Sequence, residues 1–201
     1  MIFAYNKEHV GDTLLIIVAD DQGMKQGVER KGDVAKITTE DGRIVGWNLF
    51  SISEKMVIEG NGQVTLSNDQ LQTINDWIHE AGFADTLLAD DEPKFVVGYV
   101  QTCEPHPDSD HLSITEVAID QGKVVQIVCG APNIRKGLKV VVAKPGAMMP
   151  DGLLIWPGEL RGVASTGMIC SAKELQLPNA PKKRGILELP QDAIVGSAFT
   201  K

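Results

Sequence analysis

Cys103, His106, Asp108, Asp110 and His111 lie within one short stretch of the chain, QTCEPHPDSDHL. Side chains of these types hold divalent metals or move protons when they converge. The spacing argues against both. Pro105 and Pro107 fix the direction of the turn, and no second Cys/His pair follows at the separation of a structural zinc site. The stretch reads as a loop that ends one strand and starts the next, with Asp carboxylates capping turn N–H groups. Cys129 and His106 could form a nucleophile and its base. Cys129, however, ends the apolar run Val124-Val125-Gln126-Ile127-Val128, which offers no electropositive, exposed setting to activate a thiol. The three cysteines are far apart and in apolar contexts, as expected of buried free thiols. No catalytic residue, metal or cofactor is expected.

Small and basic residues suggest binding instead. Gly130-Ala131-Pro132-Asn133 is a tight loop, and it is also a place where a nucleic-acid backbone could approach closely, with Asn133 offering donors and an acceptor. Arg135, Lys136, Lys139, Lys144 and Arg161 flank these loops and strands and would supply phosphate contacts, some of them from one face. Lys182-Lys183-Arg184 is either a basic loop near that face or a solvated linker.

Net charge is −8, but it is unevenly spread. Residues 1–94 carry 8 Lys and Arg against 17 Asp and Glu, and residues 95–201 carry 11 against 10. The acidity belongs to the first half, which like-charge repulsion keeps from RNA and which is free to meet a protein partner. The N-terminus has no basic segment followed by an apolar run, and the run from Leu14 to Ala19 is too short to span a bilayer. A cytoplasmic protein without a membrane partner is expected.

The elements that must position these residues divide at Asp90-Asp91-Glu92-Pro93. Residues 1–92 read as a small acidic α+β domain. Its strands are Leu14–Ala19, Asp33–Thr39 and Arg43–Ile52, with a tight Asp41-Gly42 turn and two further short strands across Met56–Leu66. A helix starts at a Ser67–Gln70 capping box, buries Leu71, Ile74, Trp77 or Ile78, and Ala81, and ends at Gly82. A second short helical stretch is expected over Ala84–Ala89. Residues 93–201 read as all-β with one helical turn or two near Ser171–Leu175. The strand candidates are Phe95–Cys103, Leu112–Ile119, Val124–Cys129, Leu138–Ala143, Leu153–Trp156 and Ile186–Leu189. Short strands at this spacing suggest a small closed barrel.

The segments HPDSDHLSITEV, IVCGAPNIRKGLKVVVAKPGAMMPDG, ELRGVASTGMICSAKEL and GILELPQDAIVG occur in this order across the second half. Together they resemble the tRNA-binding domain at the N-terminus of the bacterial phenylalanyl-tRNA synthetase β subunit. With a further domain in front, the chain is similar to the stand-alone YtpR-type members of that family. The resemblance implies an OB-fold barrel, in agreement with the strand pattern, and an accessory tRNA-binding role without catalysis. It implies recognition of tRNA shape and backbone, at the outer corner of the L. It also places Ser165 and Met168 in the segment linked with tRNA contact. From the residues alone, Ser165 could equally cap a turn and Met168 fill the barrel end. The family usually carries Lys or Arg where this chain has His111, which exchanges a fixed charge for one mostly absent at neutral pH.

The expected tRNA-binding residues are therefore Asn133, Arg135, Lys136, Lys139, Lys144, Arg161, Ser165 and Met168. The alternative is a protein-interaction module in translation whose barrel binds RNA weakly. An enzyme such as a tRNA-editing factor finds no nucleophile–base pair or phosphate loop to support it. A monomer or a homodimer, the latter joined through the barrel or the first domain, fits the sequence.

Overall fold

In the computed structural model, residues 1–90 and 92–200 are described. They form two compact units, Met1–Asp91 and Glu92–Lys201. The chain is mostly β with one α-helix among the described residues, and no helix there is long and apolar enough to cross a membrane.

The first unit contains six strands: β1 (Ile2–Tyr5), β2 (Thr13–Ile17), β3 (Gln26–Lys31), β4 (Val34–Thr39), β5 (Ile44–Phe50) and β6 (Gly62–Val64). All pair antiparallel, in the order β3-β4-β5-β2-β1-β6. Alternation sets the register. Leu14 opposes Leu49 and Ile16 opposes Trp47, and these four side chains share one buried face. The Asp41-Gly42 turn joins β4 to β5, with Gly42 at φ 87°, a conformation that glycine adopts without a Cβ clash. The helix α1 (Asn68–Glu80) begins at the expected capping box: Ser67 Oγ accepts from Gln70 N, and Gln70 Oε1 accepts from Ser67 N. Its Leu71, Ile74 and Ile78 join Trp47, Leu49 and Ile52 in one core.

Four details differ from the sequence reading. Strand β1 is absent from the strand candidates. Strand β3 is an additional strand, exposed along nearly its whole length, so it has no apolar alternation to reveal it. Met56–Leu66 yields one strand, β6, instead of two. Ala84–Ala89 carries no helix. There the side chain of Asn75 takes both backbone groups of Leu87: Leu87 N donates to Oδ1 at 2.7 Å and Nδ2 donates to Leu87 O at 2.9 Å. Phe83 and Leu87 are buried in the core, and this anchoring replaces a helical ladder.

The second unit is built on β7 (Phe95–Pro105), β8 (Ser113–Ala118), β9 (Val124–Cys129), β10 (Lys139–Ala143), β11 (Ala147–Met148), β12 (Leu154–Ile155), β13 (Pro157–Leu160), β14 (Val163–Thr166), β15 (Met168–Ile169) and β16 (Glu188–Leu189). The main sheet runs β15-β10-β7-β8-β9, with β16 also on β10. Side chains link β9 to β14: Gln126 Nε2 donates to Ala164 O at 2.7 Å, and Val128 N donates to Ser165 Oγ at 3.1 Å. Strand β10 is buried on both faces. Val140 and Val142 pack with Val96, Val117 and Ile127, while Val141 and Ala143 pack with Ile155, Cys170 and Leu175. Inside the first of these clusters, a Cβ at Gly98 would lie 2.7 Å from both Val117 Cγ1 and Val142 Cγ2, so only glycine lets these strands close on one another. Near Ser171 the chain makes a single turn, Leu175 N donating to Ser171 O at 3.1 Å.

Candidate nucleic-acid interface

Strands β13 and β14 form a two-residue hairpin in which Leu160 pairs with Val163. Arg161 at φ 48° and Gly162 at φ 76° turn it, the two positive φ values of a type I′ turn, whose twist matches the strands. This hairpin is absent from the strand candidates above, because Arg-Gly is not among the pairs that usually mark such a turn.

The hairpin is fastened to the 106–112 turn. His106 is buried at 2% exposure. Its Nδ1 accepts from Asp108 N at 3.0 Å, so the proton sits on Nε2, which donates to Leu160 O at 3.2 Å. Arg161 Nη1 donates to Asp108 O at 2.8 Å. Both ring nitrogens of His106 are thus occupied by backbone groups, and the histidine acts as a latch between two loops. His111 is exposed, with Nδ1 2.8 Å from Asp110 Oδ1, and this hydrogen bond is the main cause that holds the Asp110 carboxyl below its usual range. Burial raises the Cys129 thiol and pushes Cys170 up to about 12, which keeps both protonated. Cys103 is only half-buried, unlike the other two.

Two hollows open beside these loops. One, of about 1280 Å³, is walled by Trp156, Leu160, Met168 and the Lys182-Lys183-Arg184 loop. The other, of about 780 Å³, is lined by His111, Arg135 and Lys136. They share Gly130, Ala131 and Arg184, so together they make one continuous concave surface. The shared turn packs closely on the 106–112 loop: a Cβ at Gly130 would sit 3.2 Å from Leu112 Cδ2.

The eight expected residues do not all face this surface. Lys136, Met168, Asn133 and Ser165 line it, and Lys136 enters no ion pair among the described residues. Arg135 also lines it, held in a two-pronged pair with Glu188: Nη1 to Oε1 at 3.0 Å and Nη2 to Oε2 at 2.9 Å. Arg161 is exposed at the hairpin tip beside the 108–111 turn.

Four of the eight have side chains engaged internally, Asn133 and Ser165 in the wall of the larger hollow and Lys139 and Lys144 outside both hollows. Asn133 Oδ1 accepts from Ile186 N at 2.9 Å, and its Nδ2 donates to Ile186 O at 3.1 Å and to Glu188 Oε1 at 2.9 Å. Ser165, 6% exposed, uses its Oγ to accept from Val128 N and to donate to Gly167 O. Lys139 Nζ donates to Gln191 O and Ala193 O. Lys144 is buried and paired with Asp120 Oδ2 at 2.6 Å and Glu92 Oε2 at 3.6 Å. Of the five basics, Arg135 and Lys136 line the smaller hollow together, while Lys139, Lys144 and Arg161 line neither.

Glu188 is the partner that sequence reasoning missed. The Arg135 guanidinium first, and then the Asn133 amide, hold its carboxyl below the usual range. Its distance along the chain from both left no local signal. Trp156 carries no local signal of a site either, since it only ends a strand candidate.

Known proteins carry the same two parts. Residues 95–198 match the family described as "Putative tRNA binding domain", and residues 21–90 match a domain of unknown function, DUF4479. The chain is 51% identical over 196 residues to the "Putative tRNA-binding protein YtpR" of Bacillus subtilis, covering 97% of each. It is 50% identical over 109 residues to the phenylalanine–tRNA ligase β subunit of Oceanobacillus iheyensis, covering 52% of this chain and 13% of that one. A third relative, the β subunit of Acinetobacter baylyi, is 52% identical over 101 residues and is covered over 12% of its length. On the match over residues 95–198 and the full-length likeness to the Bacillus protein, the chain belongs to the tRNA-binding-domain family.

Proposed function

We propose that the second unit binds tRNA through the concave surface shared by the two hollows, and that the protein is an accessory factor with no chemistry of its own. The observation that carries this reading is the meeting of Lys136, Arg184 and Met168 around the shared Gly130–Ala131 turn, within the part that the tRNA-binding family matches. Cations on a concave face track phosphates, and a flexible thioether packs on an exposed base. We read the unit as an OB barrel, supported by its five-strand order and by the side-chain links from β9 to β14. We read the first unit as α+β. Its surplus of carboxylates favours a protein partner over RNA.

Within the proposed site, Arg135, Lys136, Arg161 and Met168 are contacts. Asn133, Lys139, Lys144 and Ser165 serve it by fixing loops and strands. A face with few cations reads shape and backbone, so binding is weak and sensitive to salt. The test is a titration with bulk tRNA and with a plain RNA duplex of equal length, at low and physiological salt. Tighter binding of tRNA at both salts is expected. Equal binding of the two RNAs would overturn the reading.

A further inference from the structure

The larger hollow holds a feature that phosphate binding alone does not use. Trp156, between β12 and β13, is half-buried and lines the hollow together with Met168. The ring passes close to Gly146, where an added Cβ would sit 3.9 Å from its Cζ3. Lys182, Lys183 and Arg184 line the same hollow, and none of them enters an ion pair among the described residues. The carboxylates around them are mostly engaged. Glu188 is held by Arg135 and Asn133, Glu174 accepts from Ser171 N, and Asp151 accepts from Leu153 N.

We propose that this hollow is a nucleobase subsite: Trp156 offers a flat π-face to one unstacked base, Met168 packs against it, and the 182–184 loop takes the adjoining phosphate. Three features support this occupant. An indole and a thioether on one wall suit the faces of a base, which are apolar and polarisable. Unpaired cations beside them suit a phosphate. A concavity of about 1280 Å³ admits a nucleotide, which a flat surface could not enclose. The proposal rests on the tRNA-binding reading and adds to it that one base is unstacked and enclosed, beyond contact with the backbone.

The experiment compares wild type, Trp156→Phe and Trp156→Ala for bulk tRNA affinity, together with the change in tryptophan emission when a short single-stranded RNA is added. Trp47 and Trp77 belong to the first unit, so the Trp156→Phe protein supplies the background emission. Trp156→Ala is expected to lose about 5- to 140-fold in affinity, since stacking on one base is worth about 1–3 kcal/mol. Trp156→Phe is expected to keep most of the affinity while losing the RNA-induced quench. Wild-type tRNA affinity in a folded Trp156→Ala protein, or an unchanged quench in Trp156→Phe, would overturn the subsite and leave tRNA binding standing. Failure of the wild type to prefer tRNA over duplex would instead remove the reading beneath it.

Discussion

The imidazole Nε2 of His106 donates to the carbonyl of Leu160 across 54 positions of sequence, at 3.2 Å. This hydrogen bond places the β13–β14 hairpin against the 106–112 turn, and with it Arg161 beside Asp108. The latch predicts that His106→Ala lowers the stability of the second unit by about 1–3 kcal/mol, because two hydrogen bonds, each worth about 0.5–1.5 kcal/mol net, are lost together with the packing of a buried ring. Urea unfolding followed by the backbone amide signals of β7–β10 measures it. An unchanged midpoint would show that the latch carries no weight.

Asn133 grips the chain just after the basic loop, through both backbone groups of Ile186. Asn133→Ala is expected to free the 182–186 segment and so to weaken tRNA binding, because the Asn133 amide is taken up by Ile186 and Glu188. Gly185→Ala should act in the same way, because its Cβ would lie 2.8 Å from Asn133 Oδ1. Faster amide exchange at residues 185–187 in both variants would confirm the shared cause, and exchange as slow as in wild type would refute it.

Lys144 distinguishes a structural cation from an RNA contact. It is buried against Asp120, so Lys144→Ala leaves a carboxylate without its partner and is expected to cost about 1–2 kcal/mol, less than for a fully buried pair because the Asp120 side chain is 31% exposed. Its tRNA affinity, measured on the folded fraction, should match wild type. A stable variant with weak binding would reverse the assignment.

Glu188 sets a pH dependence. Arg135 and Asn133 hold its carboxyl below the usual glutamate range in the folded protein. A depressed carboxylate contributes stability above its unfolded pKa and loses it as pH falls through the folded value. The second unit should therefore weaken as pH falls below the ordinary glutamate value of about 4.3, and Glu188→Gln should weaken less over that span. Because the pair is largely solvent-exposed, the effect is small. Parallel acid titrations of melting temperature for the two proteins check it.

What the sequence made legible was local. Ser67 and Gln70 mark the start of α1 because a capping box closes within one turn, and Asp41-Gly42 marks its hairpin because only a few residues accept those angles. What stayed hidden depends on distant partners. Ala84–Ala89 looks helical until Asn75 reaches Leu87 from α1. Lys139 and Lys144 look like surface cations until the fold brings Gln191 and Asp120 to them. Asn133 and Ser165 stand in the segments that the family resemblance marks, yet their side chains are engaged by backbone groups far along the chain. Residue types and spacing mark these loops as a region, but which side chains within them point outward is decided by partners 37 and 53 positions away.

The most direct test of the tRNA-binding surface is the salt dependence of tRNA affinity in wild type and in a Lys136→Ala, Lys182→Ala, Lys183→Ala triple variant. Removing one phosphate contact lowers the slope of log K against log[salt] by roughly 0.7–0.9. A folded variant with weaker binding and a slope reduced by about 2 to 3 is the expected result. A variant with wild-type affinity and slope would contradict the tRNA-binding role of this surface and move the site elsewhere.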